Sequence, residues 1–320
     1  MRLFIWMGLL CQMVLTASCA TGKKNNNSNE MATLNQSVQN GKNIFAEGKT
    51  FTSAWDIIDQ VEAVTETEAL QRSYISSSLT FKKCVFKANV TAYKTDKAGK
   101  TFAAYFNKNV SFIDCIFEGE VTFRAAIFSA PSTFQGCSFL KGANFEECTF
   151  VNDVYFNDTK YGEEAHFQNS VMMKRSNWMK ARFESNVSFQ GATFYNDAQF
   201  STAEFQKYAD FTVVTFQMSC FFNYCVFSQQ AIFNSSAFYK RTEMLSNKMQ
   251  KTEMRNCTFI LPPKFYQNEI AVSIDFSKSV FATGVPDLST VKSAQVLGDE
   301  IKSGTVTITA GEFLKAARLP

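Results

Sequence analysis

The chain has 320 residues, 46% of them hydrophobic and 19% charged, and its 32 basic and 29 acidic side chains leave a formal charge of +3. That balance excludes recognition of a polyanion or a polycation through bulk charge. Its 34 Phe against 5 Pro and 14 Gly are too many rings for an ordinary mixed core, and they ask for a regular place to put each one.

The amino terminus reads as an address. Arg2 is followed by an apolar run over residues 3–15, interrupted only by Gly8 and Gln12, and then by Thr16-Ala17-Ser18-Cys19. The run is too short to span a bilayer comfortably and ends in small residues, which predicts a cleaved export signal over residues 1–18. A Cys directly after small residues resembles a bacterial lipobox, although Thr16 stands where Leu is usual and Leu15 lies one place early. The resemblance implies that Cys19 is acylated, giving an exported protein lipid-anchored at the cell envelope, in the bacterial outer membrane. Residues 19–43 are polar and without periodicity, and are expected to form a flexible tether. Residues 44–72, with the helix-like stretch Ala54-Trp55-Asp56-Ile57-Ile58-Asp59-Gln60-Val61, are expected to form an N-terminal cap.

From Phe106 a ladder begins: Phe106, Phe112, Phe117, Phe123, Phe128, Phe134, Phe139, Phe145, Phe150, Phe156. Steps of six and five alternate as far as Phe238, with Tyr161, Met172 and Trp178 filling ring positions. A 3.6-residue turn cannot keep a ring on one side at such steps, and eleven-residue coiled-coil repeats place apolar residues three and four apart. Helix is excluded. Two residues before each ring stands a small or β-branched residue, such as Val110, Cys115, Val121 and Ala126. Residues two apart on an extended segment share a face, so the small residue and the ring both point inward. Between them lies an outward residue, often Thr, Ser, Val or Ile.

These units resemble the pentapeptide-repeat family. Ala143-Asn144-Phe145, Cys148-Thr149-Phe150, Ala192-Thr193-Phe194 and Ala198-Gln199-Phe200 match its small-polar-apolar core in a Phe-rich variety spaced at five and six. The resemblance covers residues 73–281 and implies an all-β, right-handed quadrilateral parallel β-helix of about 22 residues per coil. Ile75, Phe81 and Phe86 extend the register upstream, and residues 95–100 read as a loop inserted into it. Downstream, Phe259, Phe265, Ile270, Phe276 and Phe281 resume it after a slip near Met244, Met249 and Met254. Coils stacked at ~4.8 Å predict a rod on the order of 40 Å long. Its open ends need caps, and residues 282–320 are expected to supply the second one.

Candidate chemistry is sparse. Cys84, Cys115, Cys137, Cys148, Cys220, Cys225 and Cys257 all fall on the small inward site, where Cys packs as a small hydrophobe, so neither disulfides nor a metal site are expected. The single His166 is outward and finds no partner for metal or triad chemistry. Glu146-Glu147 and Glu163-Glu164 are carboxylate pairs at corners, read as solvated charge in preference to glycosidase acids. Trp178 sits where the ladder expects a ring, which makes it core. No cofactor is indicated.

Every 22 residues, one outward column reads Tyr105, Ile127, Thr149, Val171, Thr193, Thr215, Ala237 and carries no charge; another, Ile116, Ser138, Lys160, Arg182, Glu204, Val226, is mixed. A flat uncharged β face suits a protein partner or a second copy. The expected function is therefore non-enzymatic: a lipid-anchored envelope rod that serves as a protein-interaction or structural scaffold. The rival reading is a carbohydrate-binding or carbohydrate-cleaving β-helix, with a glycan as ligand. Some cytoplasmic pentapeptide-repeat proteins imitate DNA and protect topoisomerases, but such mimicry needs a strongly acidic rod, so no nucleic-acid role is expected.

Overall fold

A computed structural model describes residues 27–318; the expected export signal, Cys19 and the first part of the tether lie outside the described residues. The chain winds into an all-β parallel solenoid of roughly 22 residues per coil. Each coil lays down four short strands. In the third coil these begin at Val110, Ile116, Val121 and Ile127, and we number the faces one to four in that order. Strands of successive coils pair in parallel, for example Val110 with Ser132 on face one and Ile127 with Thr149 on face four. Face one is a nine-stranded sheet. Faces two and three merge into a single sheet, because the strands Val226–Ile232, Lys248–Glu253 and Glu269–Asp275 run straight through the corner between them.

The alternation of five and six has a local cause. Five-residue steps join face one to two and face three to four, and each places one residue at positive φ: Asp114, Asp158, Lys180 and Thr202 at the first corner, Ala125, Glu147, Asn169 and Val213 at the second. The turn closes with a bond from the next small residue to the carbonyl of the ring residue, as Ala126 N to Phe123 O at 2.9 Å and Ala192 N to Phe189 O at 2.9 Å. A turn of this kind requires φ > 0 at its third residue, which is why Gly136 and Gly191 are accepted there. Most occupants are not Gly or Asn. The ladder of bonds to neighbouring coils holds them in that conformation, so the turn is invisible to residue preference alone.

Inside, rings stack in columns. Phe134, Phe156, Trp178, Phe200 and Phe222 succeed one another at centroid distances of 5.0, 5.4, 4.9 and 4.6 Å, with planes within 12° of parallel. Rings of adjacent columns meet edge to face, as Phe145 and Phe156 do at 5.1 Å and 78°, the geometry that aromatic quadrupoles favour. Trp178 is fully buried, as the ladder predicts. At the slip, Met244, Met249 and Met254 occupy ring positions and are buried, and the pairing shifts register between Phe227 and Gln230. Flexible Met side chains fill a coil that is one residue short.

Several boundaries differ from the sequence expectation. Within the expected tether, Asn27–Gln39 forms a helix, α1, whose Met31, Leu34 and Val38 are buried against the first coil. These three apolar residues at helical spacing are few, and polar neighbours hide them, but covering an open end of the rod gives them a partner. Residues 44–72 are more than a cap. Ile44–Glu47, Thr50–Phe51 and Trp55–Asp56 pair in parallel with the next coil and so form the first coil. The stretch expected to be helical keeps only a 3-10 turn at Ile58–Gln60, since Trp55 and Ile57 donate their backbone N–H groups to Asn89 and Thr91. The inserted loop at 95–100 closes an antiparallel hairpin between Tyr93–Thr95 and Thr101–Phe106. At the far end coil structure continues past residue 281. Ile301–Ser303 pairs with Val280–Phe281 and then folds back on Val306–Ile308. The second helix, α2 (Ala310–Ala316), closes the end with buried Phe313, its start fixed by a capping box of Thr309 and Glu312.

Candidate functional site

The predicted uncharged column is assembled on face four. Tyr105, Ile127, Thr149, Val171, Thr193, Thr215 and Ala237 are consecutive partners in the parallel ladder. Its register extends it to Tyr74 at one end and to Thr258 and Val280 at the other. Tyr74 and Tyr105 stack at 5.1 Å. One residue beyond the ring, the edge of this face carries exposed Met173, Tyr195 and Tyr239. Alternation along each strand sets this arrangement: the ring enters the core, and the residue on either side of it faces water.

Face two is the charged counterpart. Lys160 lies 3.2 Å from Glu184, which is 3.2 Å from Arg182, and Arg182 also reaches Glu204. Hydrogen bonding to Lys160 holds the Glu184 carboxyl below its ordinary range. The corner carboxylates are distributed along the rod, each beside a cation or amide. Glu146 and Glu147 both meet Arg124, Glu163 meets Lys141 at 3.1 Å, and Glu164 accepts from Asn186 at 3.1 Å. His166 stands 3.7 Å from Glu164 on the outer surface. No nucleophile joins them within these contacts, and among the described residues no group of three or more His, Cys, Asp or Glu could hold a metal ion.

The seven cysteines from Cys84 to Cys257 are buried free thiols. Burial pushes Cys220, Cys225 and Cys257 up to about 12. Sγ of Cys148 donates to Phe123 O at 2.9 Å, and Sγ of Cys257 to Phe233 O at 2.9 Å; Ser236 and Ser279 make the equivalent bond with Oγ, each at 2.6 Å. The small inward site thus satisfies a ring residue's carbonyl on the coil before, which is a packing role. No helix among the described residues is long and apolar enough to cross a membrane.

Three pairings near the far end are not foreshadowed by the sequence. Glu243, Glu253 and Asp275 are outward-facing carboxylates, yet each is largely buried beneath Arg241, Lys251 and Arg255. Face one carries a further column absent from the sequence expectation; counting in steps of 22 from Tyr155 displays it.

Residues 134–178 match the family described as pentapeptide repeats (9 copies). The matched stretch is continuous in coil geometry with the turns on either side of it. No curated protein and no solved structure matches the chain.

Proposed function

We propose that this pentapeptide-repeat β-solenoid is a non-enzymatic protein-interaction scaffold, exported and held at the bacterial outer membrane by a lipid on Cys19. The observation that carries the reading is the uncharged outward column of face four, unbroken from Tyr74 to Val280, on a rod whose face two is charged. A rigid, parallel ladder presents this column without conformational cost, and rigid presentation favours association because little entropy is lost on docking. Its partner is an envelope protein offering a flat, uncharged β surface.

Anchoring and docking are separately testable. Cys19→Ala should move the protein from the membrane fraction to the soluble fraction; unchanged membrane association would reject the anchor. Thr149→Glu with Thr193→Glu places two charges on face four, at positions that face water and leave the core alone. Loss of a co-purifying protein in this variant supports the docking face, and its undiminished recovery contradicts it.

A further inference from the structure

On face one the outward residues Tyr155, Asn177, Gln199 and Phe221 occupy consecutive rungs. They line a shallow groove of about 290 Å³. At ~4.8 Å per rung, Tyr155 and Phe221 stand about 14 Å apart along the rod axis, with the two amides between them. Both amide carbonyls are engaged. Asn177 Oδ1 accepts from Met179 N at 2.9 Å, and Gln199 Oε1 accepts from Ser201 Oγ at 2.6 Å. This fixes each amide plane and leaves both NH2 groups as donors that use no partner among the described residues.

Charged groups flank this row. Arg175, paired with Asp153 at 2.8 Å, and Asp197, which accepts from Ser219 N at 3.1 Å, line the groove beside it, and the Arg241 guanidinium sits over the Phe221 ring, 5.7 Å from its centroid. The row that forms the floor is itself uncharged over four rungs: an aromatic ring, two fixed donors and a second aromatic ring.

We propose that this groove binds an extended, neutral, β-linked hexose chain lying along the rod. This goes beyond the scaffold reading and stands independently of it. Pyranose rings offer apolar C–H faces that pack on aromatic rings, and hydroxyl oxygens that accept from amide donors, so the ligand supplies both chemistries that the floor displays. An extended β-linked ribbon advances per sugar by a distance similar to one rung, so about four sugars span the column from Tyr155 to Phe221. A helical α-linked glucan curves away from a straight row and meets at most one of the two rings.

The test is calorimetric titration of the purified full-length protein with cellohexaose, β-1,4-mannohexaose and maltohexaose. At least one of the two β-linked hexaoses should bind with sub-millimolar affinity, while maltohexaose should not bind. Tyr155→Ala and Phe221→Ala should each weaken binding about tenfold. Gln199→Glu, which keeps the side-chain volume and removes the donor, should weaken it with the melting temperature retained. Thr193→Glu on face four should leave it unchanged. Equal binding of maltohexaose, no binding of either β-linked hexaose, or full affinity in the Tyr155 and Phe221 variants would overturn the proposal.

Discussion

The ring of Phe313 lies 6.0 Å from that of Phe281, with the planes 15° apart, so α2 adds one more ring to the Phe238–Phe259–Phe281 column of face four. The helix thereby ends the solenoid in the packing mode of its interior, closing an apolar end that would otherwise template further strands. Phe313→Ala should cost about 3–5 kcal/mol locally and promote concentration-dependent self-association. Sedimentation velocity checks this, and an unchanged monomer would contradict it.

In the middle of the rod, Phe156 packs on Phe134, Phe145 and Trp178. Phe156→Ala should lower stability by about 3–5 kcal/mol, read as a shift of the urea midpoint. Phe156→Asp should abolish cooperative unfolding, since a buried carboxylate there has no partner. An unaltered midpoint for either variant would reject the inward assignment.

The repeat and its caps differ in how openly the sequence displays them. Rings from Phe106 to Phe238 are legible because each sits alone at a fixed step, and the inward pattern follows from that step. The caps are not legible in the same way. Met31, Leu34 and Val38 are an ordinary amphipathic row whose meaning depends on the apolar end they cover, and Trp55 is a strand residue only because Asn89 O is in place to receive its N–H. The uncharged column on face four and the Tyr155–Phe221 row on face one have the same 22-residue period, so both can be read by counting, the second once the count starts from Tyr155. The positive φ of Val213 and Glu147 cannot be read at all, since ladder bonds impose it against residue preference.

Acid should weaken the far end first. Burial opposes ionisation of Glu253, but hydrogen bonds from Lys251 and Asn234 and the charges of Lys251 and Arg255 together hold its carboxyl below the ordinary range. Glu243 and Asp275 are lowered in the same way. A carboxylate whose folded pKa is depressed contributes stability that is present above its unfolded value, about 4.3 for Glu, and is lost as pH falls through the folded one. Stability should therefore hold between pH 7 and about 5 and decline below about 4. Glu253→Gln should make that decline shallower, and a decline of undiminished steepness in denaturant titrations across this range would contradict the assignment.

The thiols give a separate readout of core integrity. With Cys220, Cys225 and Cys257 pushed up to about 12, almost no thiolate forms near neutral pH, and burial bars access. The buried cysteines from Cys84 to Cys257 should resist a thiol reagent at pH 8 in the native protein and react together once it is denatured. Rapid native labelling of any of them would show that the coil opens there.

Docking of a protein on face four can be read in living cells by site-specific photo-crosslinking. A photoreactive residue at Thr193 is compared with one at Arg182 on the charged face two. A docking face four should give one discrete protein adduct from position 193 and none from position 182. No adduct at position 193, or the same species from both positions, would contradict it.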